Sequence, residues 1–92
     1  MSDVQVIWDD PDNPGGNTAH VALHGLTPDE VDAVLLDDSI PATVSHSSGL
    51  PCKFGWTPTG LHIIVVWKEY PDVDPPVIRP ITAFKVPPRA RP

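Results

Sequence analysis

The chain has 92 residues, 40% of them hydrophobic and 20% charged, which is the composition of one small folded domain and not of a disordered segment. Its net charge is −6, but residues 1–50 hold nine Asp/Glu and no Lys/Arg, whereas residues 51–92 hold three Asp/Glu and six Lys/Arg. No run of about 18 apolar residues occurs, which excludes a membrane-spanning helix, and the single Cys52 excludes an internal disulfide and a cysteine-built zinc site.

Met1-Ser2-Asp3 carries neither a basic nor an apolar leader, so no secretion signal is expected, and the lone cysteine fits a reducing cytoplasm. A chain of this size buries about 60–65% of its unfolded surface, enough for one modest core.

In chain order, Val4, Val6 and Trp8 alternate with Asp3, Gln5 and Asp9, the pattern of a first strand. Residues 10–16 read as a turn set by Pro11, Pro14, Gly15 and Gly16. Asn17 is expected to N-cap a short helix running to His24, with Gly25 ending it. A second helix opens on Thr27, with Pro28 at the first helical position, Glu30 closing a capping box, and Leu26 stapling onto Val31. Val31, Val34 and Leu35 form its apolar stripe, and it ends near Asp37. These helices must cover a sheet.

Residues 42–45 read as a short strand and Ser47-Ser48-Gly49 as a turn. Residues 52–57 alternate, and Thr57-Pro58-Thr59-Gly60 turns the chain into the nearly apolar strand 61–67. Residues 71–76 form an acidic, proline-stiffened loop. Residues 77–86 are the last strand, with Pro80 marking an edge or a bulge. The expected fold is α+β: an N-terminal strand, a two-helix hairpin, then a curved antiparallel sheet of three to four strands. Residues 1–86 make the domain, and residues 87–92 form a basic, proline-rich tail.

Strand parity supplies the functional expectation. If the helices cover Phe54, Trp56, Leu61, Ile63, Val65 and Trp67, then Lys53, His62 and Lys68 face the other way. In the last strand Ile78, Thr82, Phe84 and Val86 would point to the core, and Arg79 and Lys85 away from it. Lys53, Lys68, Arg79 and Lys85 would then share one wall able to hold phosphates. On the same reading Trp8, Trp56 and Trp67 are packing residues. Polar side chains also face water on any sheet covered on one side only, and Ile64 and Val66 share this face, which suggests that something covers part of it.

Ile7-Trp8-Asp9, His24-Gly25-Leu26, Asp29-Glu30-Val31 and Val34-Leu35-Leu36-Asp37-Asp38 follow one another at informative spacings. They continue into Gly49, Phe54-Gly55, Gly60, Ile63-Ile64-Val65-Val66 and Ile78-Arg79-Pro80-Ile81-Thr82-Ala83. In this order the chain resembles the BrnT-type toxins, ribonucleases of type II toxin–antitoxin pairs with a RelE-like fold. The resemblance implies metal-independent cleavage of RNA and a small antitoxin-like partner encoded nearby. By its motif His24 and Arg79 become catalytic candidates. His62 joins them from its place among the cations, and Lys53, Lys68, Arg79 and Lys85 become the RNA-phosphate ligands. No cofactor is implied.

The chain departs from that pattern at Leu23, Leu61 and Phe84, where such toxins usually carry basic residues, although Lys85 adjoins the last of these. Pro87 and Pro88 stand where a basic terminal helix usually follows. A second expectation therefore belongs beside the first: a catalytically inactive member of the same fold that binds a protein. His20 and His24, one helical turn apart, have the spacing of two metal ligands, but no motif supplies a third among His46, Asp9 or Asp10. Ser45-His46-Ser47-Ser48 reads as an ordinary strand-to-turn segment.

Overall fold

A computed structural model describes residues 4–88. The basic residues of the expected C-terminal tail, Arg89 and Arg91, lie outside the described residues. Five strands and two helices follow in the order β1 (Gln5–Val6), α1 (Asn17–Leu23), α2 (Pro28–Leu35), β2 (Thr43–Val44), β3 (Pro51–Trp56), β4 (His62–Tyr70) and β5 (Val77–Lys85). The fold is α+β, as expected. The sheet is mixed, because β2 to β5 form an antiparallel meander and β1 joins β5 in parallel, giving the order β1-β5-β4-β3-β2.

The helix signals act as the sequence indicates, with one exception. Thr27 and Glu30 form the reciprocal capping box at the start of α2, with Pro28 following the cap. Gly25 takes φ +78° after α1, a backbone angle that disfavours a side chain. The exception is Asn17. Gly16 is the N-cap of α1, and the Asn17 side chain turns inward. Its Oδ1 accepts from the Asp9 backbone N–H, and its Nδ2 donates to the carbonyls of Ile7 and Pro80. A buried amide satisfied on three sides thus ties the end of β1 and the middle of β5 to α1.

Both helices pack on one face of the sheet. Val21, Leu26, Val31, Val34 and Leu35 meet Ile63, Val65, Trp67, Ile78 and Ala83 there, and all of them are buried. Trp67 is a core residue, as expected, and Trp8 packs against the same core with Nε1 donating to Asp32.

The parity of β3 is the reverse of the expectation. Register pairs Lys53 with Val65 and Gly55 with Ile63, so Lys53 and Gly55 face the helices, and Phe54 and Trp56 face away. The reason is steric. A Cβ at Gly55 would stand 2.7 Å from Ile40 Cδ1 and 3.0 Å from Val34 Cγ1, so this face admits no larger side chain there. The parity of β5 changes midway. Ile78 is in the core as expected, but a register shift leaves Ile81 without a β4 partner, and Ala83 and Lys85 then point to the helices. Thr82 and Phe84 turn outward with Val66 and Ile64. Pro80 lies next to the irregularity, as its missing N–H suggests.

Lys53 has only 3% of its surface exposed. Its Nζ donates to the carbonyls of Leu35 (2.8 Å) and Asp37 (2.9 Å), where α2 runs out of intrahelical donors. A cation at this end is also favoured by the negative end of the helix dipole. Burial pushes the Lys53 pKa down, and nearby Asp37 offsets part of that shift. Lys53→Ala leaves a void and the Leu35 carbonyl without its donor, while the Asp37 carbonyl keeps the Ile40 N–H, and it should cost about 2–4 kcal/mol of stability. Urea denaturation of the two proteins side by side measures this, and a loss near zero would show that water replaces the ammonium.

Candidate binding face

The sheet face away from the helices is open around its aromatic rings and closed at the paired Cys52 and Val66, which are 1% and 6% exposed. From β3 it carries Phe54 and Trp56; from β4 it carries His62, Ile64, Val66 and Lys68; from β5 it carries Arg79, Thr82 and Phe84. Trp56 is 59% exposed and Phe54 42% exposed. The Trp56 ring lies 5.0 Å from His62, whose Nδ1 is 3.2 Å from the Val86 carbonyl oxygen. α1 adds two imidazoles where it crosses β5. His20 hydrogen-bonds Thr82 Oγ1 at 2.9 Å, and His24 sits 5.8 Å from the Phe84 ring. His20 and His24 are themselves 5.4 Å apart, edge to face. An aromatic and imidazole band therefore crosses the end of the sheet.

The four cations expected on one wall are not together. Lys53 is under the helices, and Lys85 is on the helix side of β5, its Nζ 3.2 Å from where a Gly25 Cβ would be. Only Lys68 and Arg79 belong to the open face, as cross-strand partners. Lys68 Nζ lies 6.0 Å from the Tyr70 ring centre. Arg79 reaches the edge and pairs bidentately with Asp9, Nη1–Oδ1 at 3.0 Å and Nη2–Oδ2 at 2.6 Å. The separation follows from the two parity changes: Gly55 needs the tight face in β3, and the irregularity reverses β5 before Lys85.

Arg79 and His20 share a small groove of about 210 Å³ floored by Gly16, Asn17 and Pro80. His24 is turned to Phe84 and does not line it, and His62 belongs to the β4 side, next to Trp56. Thus the three catalytic candidates sit at three stations along the band. Among the described residues no three His, Cys, Asp or Glu side chains are grouped to hold a metal ion. No helix among them is long and apolar enough to cross a membrane.

Sequence reasoning missed Phe54, Trp56 and Phe84 as surface residues. The available signals were Gly55, a strand glycine that marks a close approach, and Pro80, which announces a possible change of parity. The carboxylates point elsewhere. Counted by register, no outward position of β3, β4 or β5 is Asp or Glu. Asp29, Glu30 and Asp32 belong to α2, on the covered side, and Asp37 and Asp38 follow it in the chain.

No protein-family model, no curated protein and no solved structure matches this chain.

The Asp9–Arg79 pair gives an acid-side signature. The Arg79 hydrogen bond, then the Asn17 backbone N–H, hold the Asp9 carboxyl below its ordinary value of 3.8, against a smaller opposing effect of burial. A carboxylate whose folded pKa is lowered adds stability above its unfolded pKa, and that stability is lost as pH falls through the folded one. Asp9→Asn should therefore lower the thermal midpoint at neutral pH and flatten its decline below the ordinary value of 3.8. Melting curves taken down the acid range check this; parallel curves for the two proteins would mean that the pair does not couple to folding.

Proposed function

We propose that this chain is a divergent BrnT-like protein that acts as a non-catalytic, protein-binding module, with the open sheet face as its interface. One observation carries this reading: Phe54, Trp56 and Phe84 stand exposed on the sheet face away from the helices, around the half-buried Ile64 and beside the buried Cys52 and Val66. Contiguous exposed apolar surface of this kind marks interaction sites, and aromatic side chains dominate the energetics of such interfaces.

RNA cleavage is the second reading. His20 beside Arg79 in one groove, with His24 next along the helix, favours it, because metal-independent cleavage needs an acid, a base and a cation at the phosphate. Against it, Lys53 is committed to the end of α2, Arg79 to Asp9, and Lys85 to the helix side. Lys68 is left as the one lysine of the open face, in a chain of net charge −6. Affinity for RNA scales with the number of phosphates neutralised.

Induced expression in a bacterial host, with and without the product of an adjacent small reading frame, tests the choice. The expected result is unimpaired growth, intact RNA, and a stable complex that the double variant Phe54→Ser/Trp56→Ser fails to form. Growth arrest with RNA cleavage, abolished by His20→Ala at unchanged stability, would replace the module with the enzyme.

A further inference from the structure

We infer that the open face takes a short amphipathic segment of a partner protein in which carboxylates flank the apolar side chains. This rests on the module reading and adds the chemistry of the partner. The first ground is charge complementarity. Twelve Asp/Glu occur in the chain, yet the outward positions of β3, β4 and β5 hold none, and the charged groups present there are Lys68 and Arg79. Lys68 is exposed, with its Nζ 6.0 Å from the centre of the Tyr70 ring. An incoming carboxylate would meet no fixed anion on the strands, and it would meet Asp9 only at the edge, where Arg79 already neutralises it.

The second ground is area. At their observed exposures Phe54, Trp56 and Phe84 together offer roughly 250–300 Å² of aromatic surface, from a full side-chain burial of about 150–250 Å² each. A stable globular interface needs about 800 Å² per partner, so the rings suit a short segment better than a second folded domain.

A second copy of this chain fits less well. Isologous contact would set this face on its own copy, which offers Lys68 and Arg79 no carboxylate at an outward strand position, and the acidic α2 lies on the opposite side, so only a head-to-tail arrangement would match the charges. Single-stranded RNA has bases to stack on the rings, but it would find few cations for its phosphates.

The test uses the full chain as bait for a displayed library of random peptides, with a labelled single-stranded oligouridine and sedimentation of the chain alone run beside it. Enriched peptides should combine aromatic or aliphatic residues with an excess of Asp/Glu. Their affinity should fall about tenfold or more in Phe54→Ser/Trp56→Ser. It should fall several-fold in Lys68→Glu and on going from low to physiological salt. Both variants alter exposed side chains, and unchanged melting curves confirm that folding is intact. Enriched peptides that are neutral or basic yet depend on Trp56 would overturn the acidic partner and leave the module standing. Oligouridine binding without peptide enrichment would overturn both. Self-association abolished by the double variant would assign the face to a second copy and overturn the inference, as would no enrichment at all.

Discussion

The close approach of α2 and Ile40 to the sheet at Gly55 is the constraint from which the rest of the surface follows. With a Cβ excluded there, β3 must present its small residue to the helices. Period-2 alternation then carries Lys53 inward and Phe54 and Trp56 outward. Hydrophobicity alone would choose the opposite orientation, since it would bury two aromatic rings and expose a lysine. Shape decides, because overpacking a filled interior is itself destabilising. The buried ammonium is accommodated because the carbonyls of Leu35, at the end of α2, and of Asp37, just beyond it, lie within its reach.

The other half of the molecule is held by polar groups. Asn17 gathers Asp9, Ile7 and Pro80, and Asp9 in turn accepts from the Asn17 backbone N–H and from Arg79. Residues from the first twenty and the last fifteen of the chain thereby close around one buried amide. Among the described residues no buried side-chain nitrogen or oxygen is left without a hydrogen-bond partner. Such a network is highly specific, because each member removed leaves another unsatisfied in a low-dielectric setting. It also fixes where α1 crosses β5, which sets His20 on Thr82 and His24 on Phe84.

Together these two constraints make a molecule with two unlike sides. The covered side carries the acidic α2, and the open side carries rings, imidazoles and two cations. The charge asymmetry along the sequence is thus converted into an asymmetry in space, but not through the lysine wall that strand alternation suggested. Lys53 and Lys85 serve the helix side, and what remains outward is mostly apolar. A surface of that kind supports recognition of a partner more readily than stabilisation of a phosphorane, which requires several converging cations.

Much of the fold was legible in the residues. The capping box at Thr27 and Glu30, the turn at Gly60, the core strand around Ile63 and Val65, and the break at Pro80 are local signals, governed by backbone angles and by side chains a few positions apart. The candidate face was not legible, because which side of a strand meets the helices depends on register and on contacts far away in sequence. One extra residue at Ile81 reverses every side chain after it, and Gly55 faces inward only because Val34 and Ile40 arrive there. The sequence by itself determined the kinds and order of elements and the acidic-to-basic gradient. The tertiary structure alone decided which side chains became surface, since facing is a property of packing between distant segments and not of any one of them.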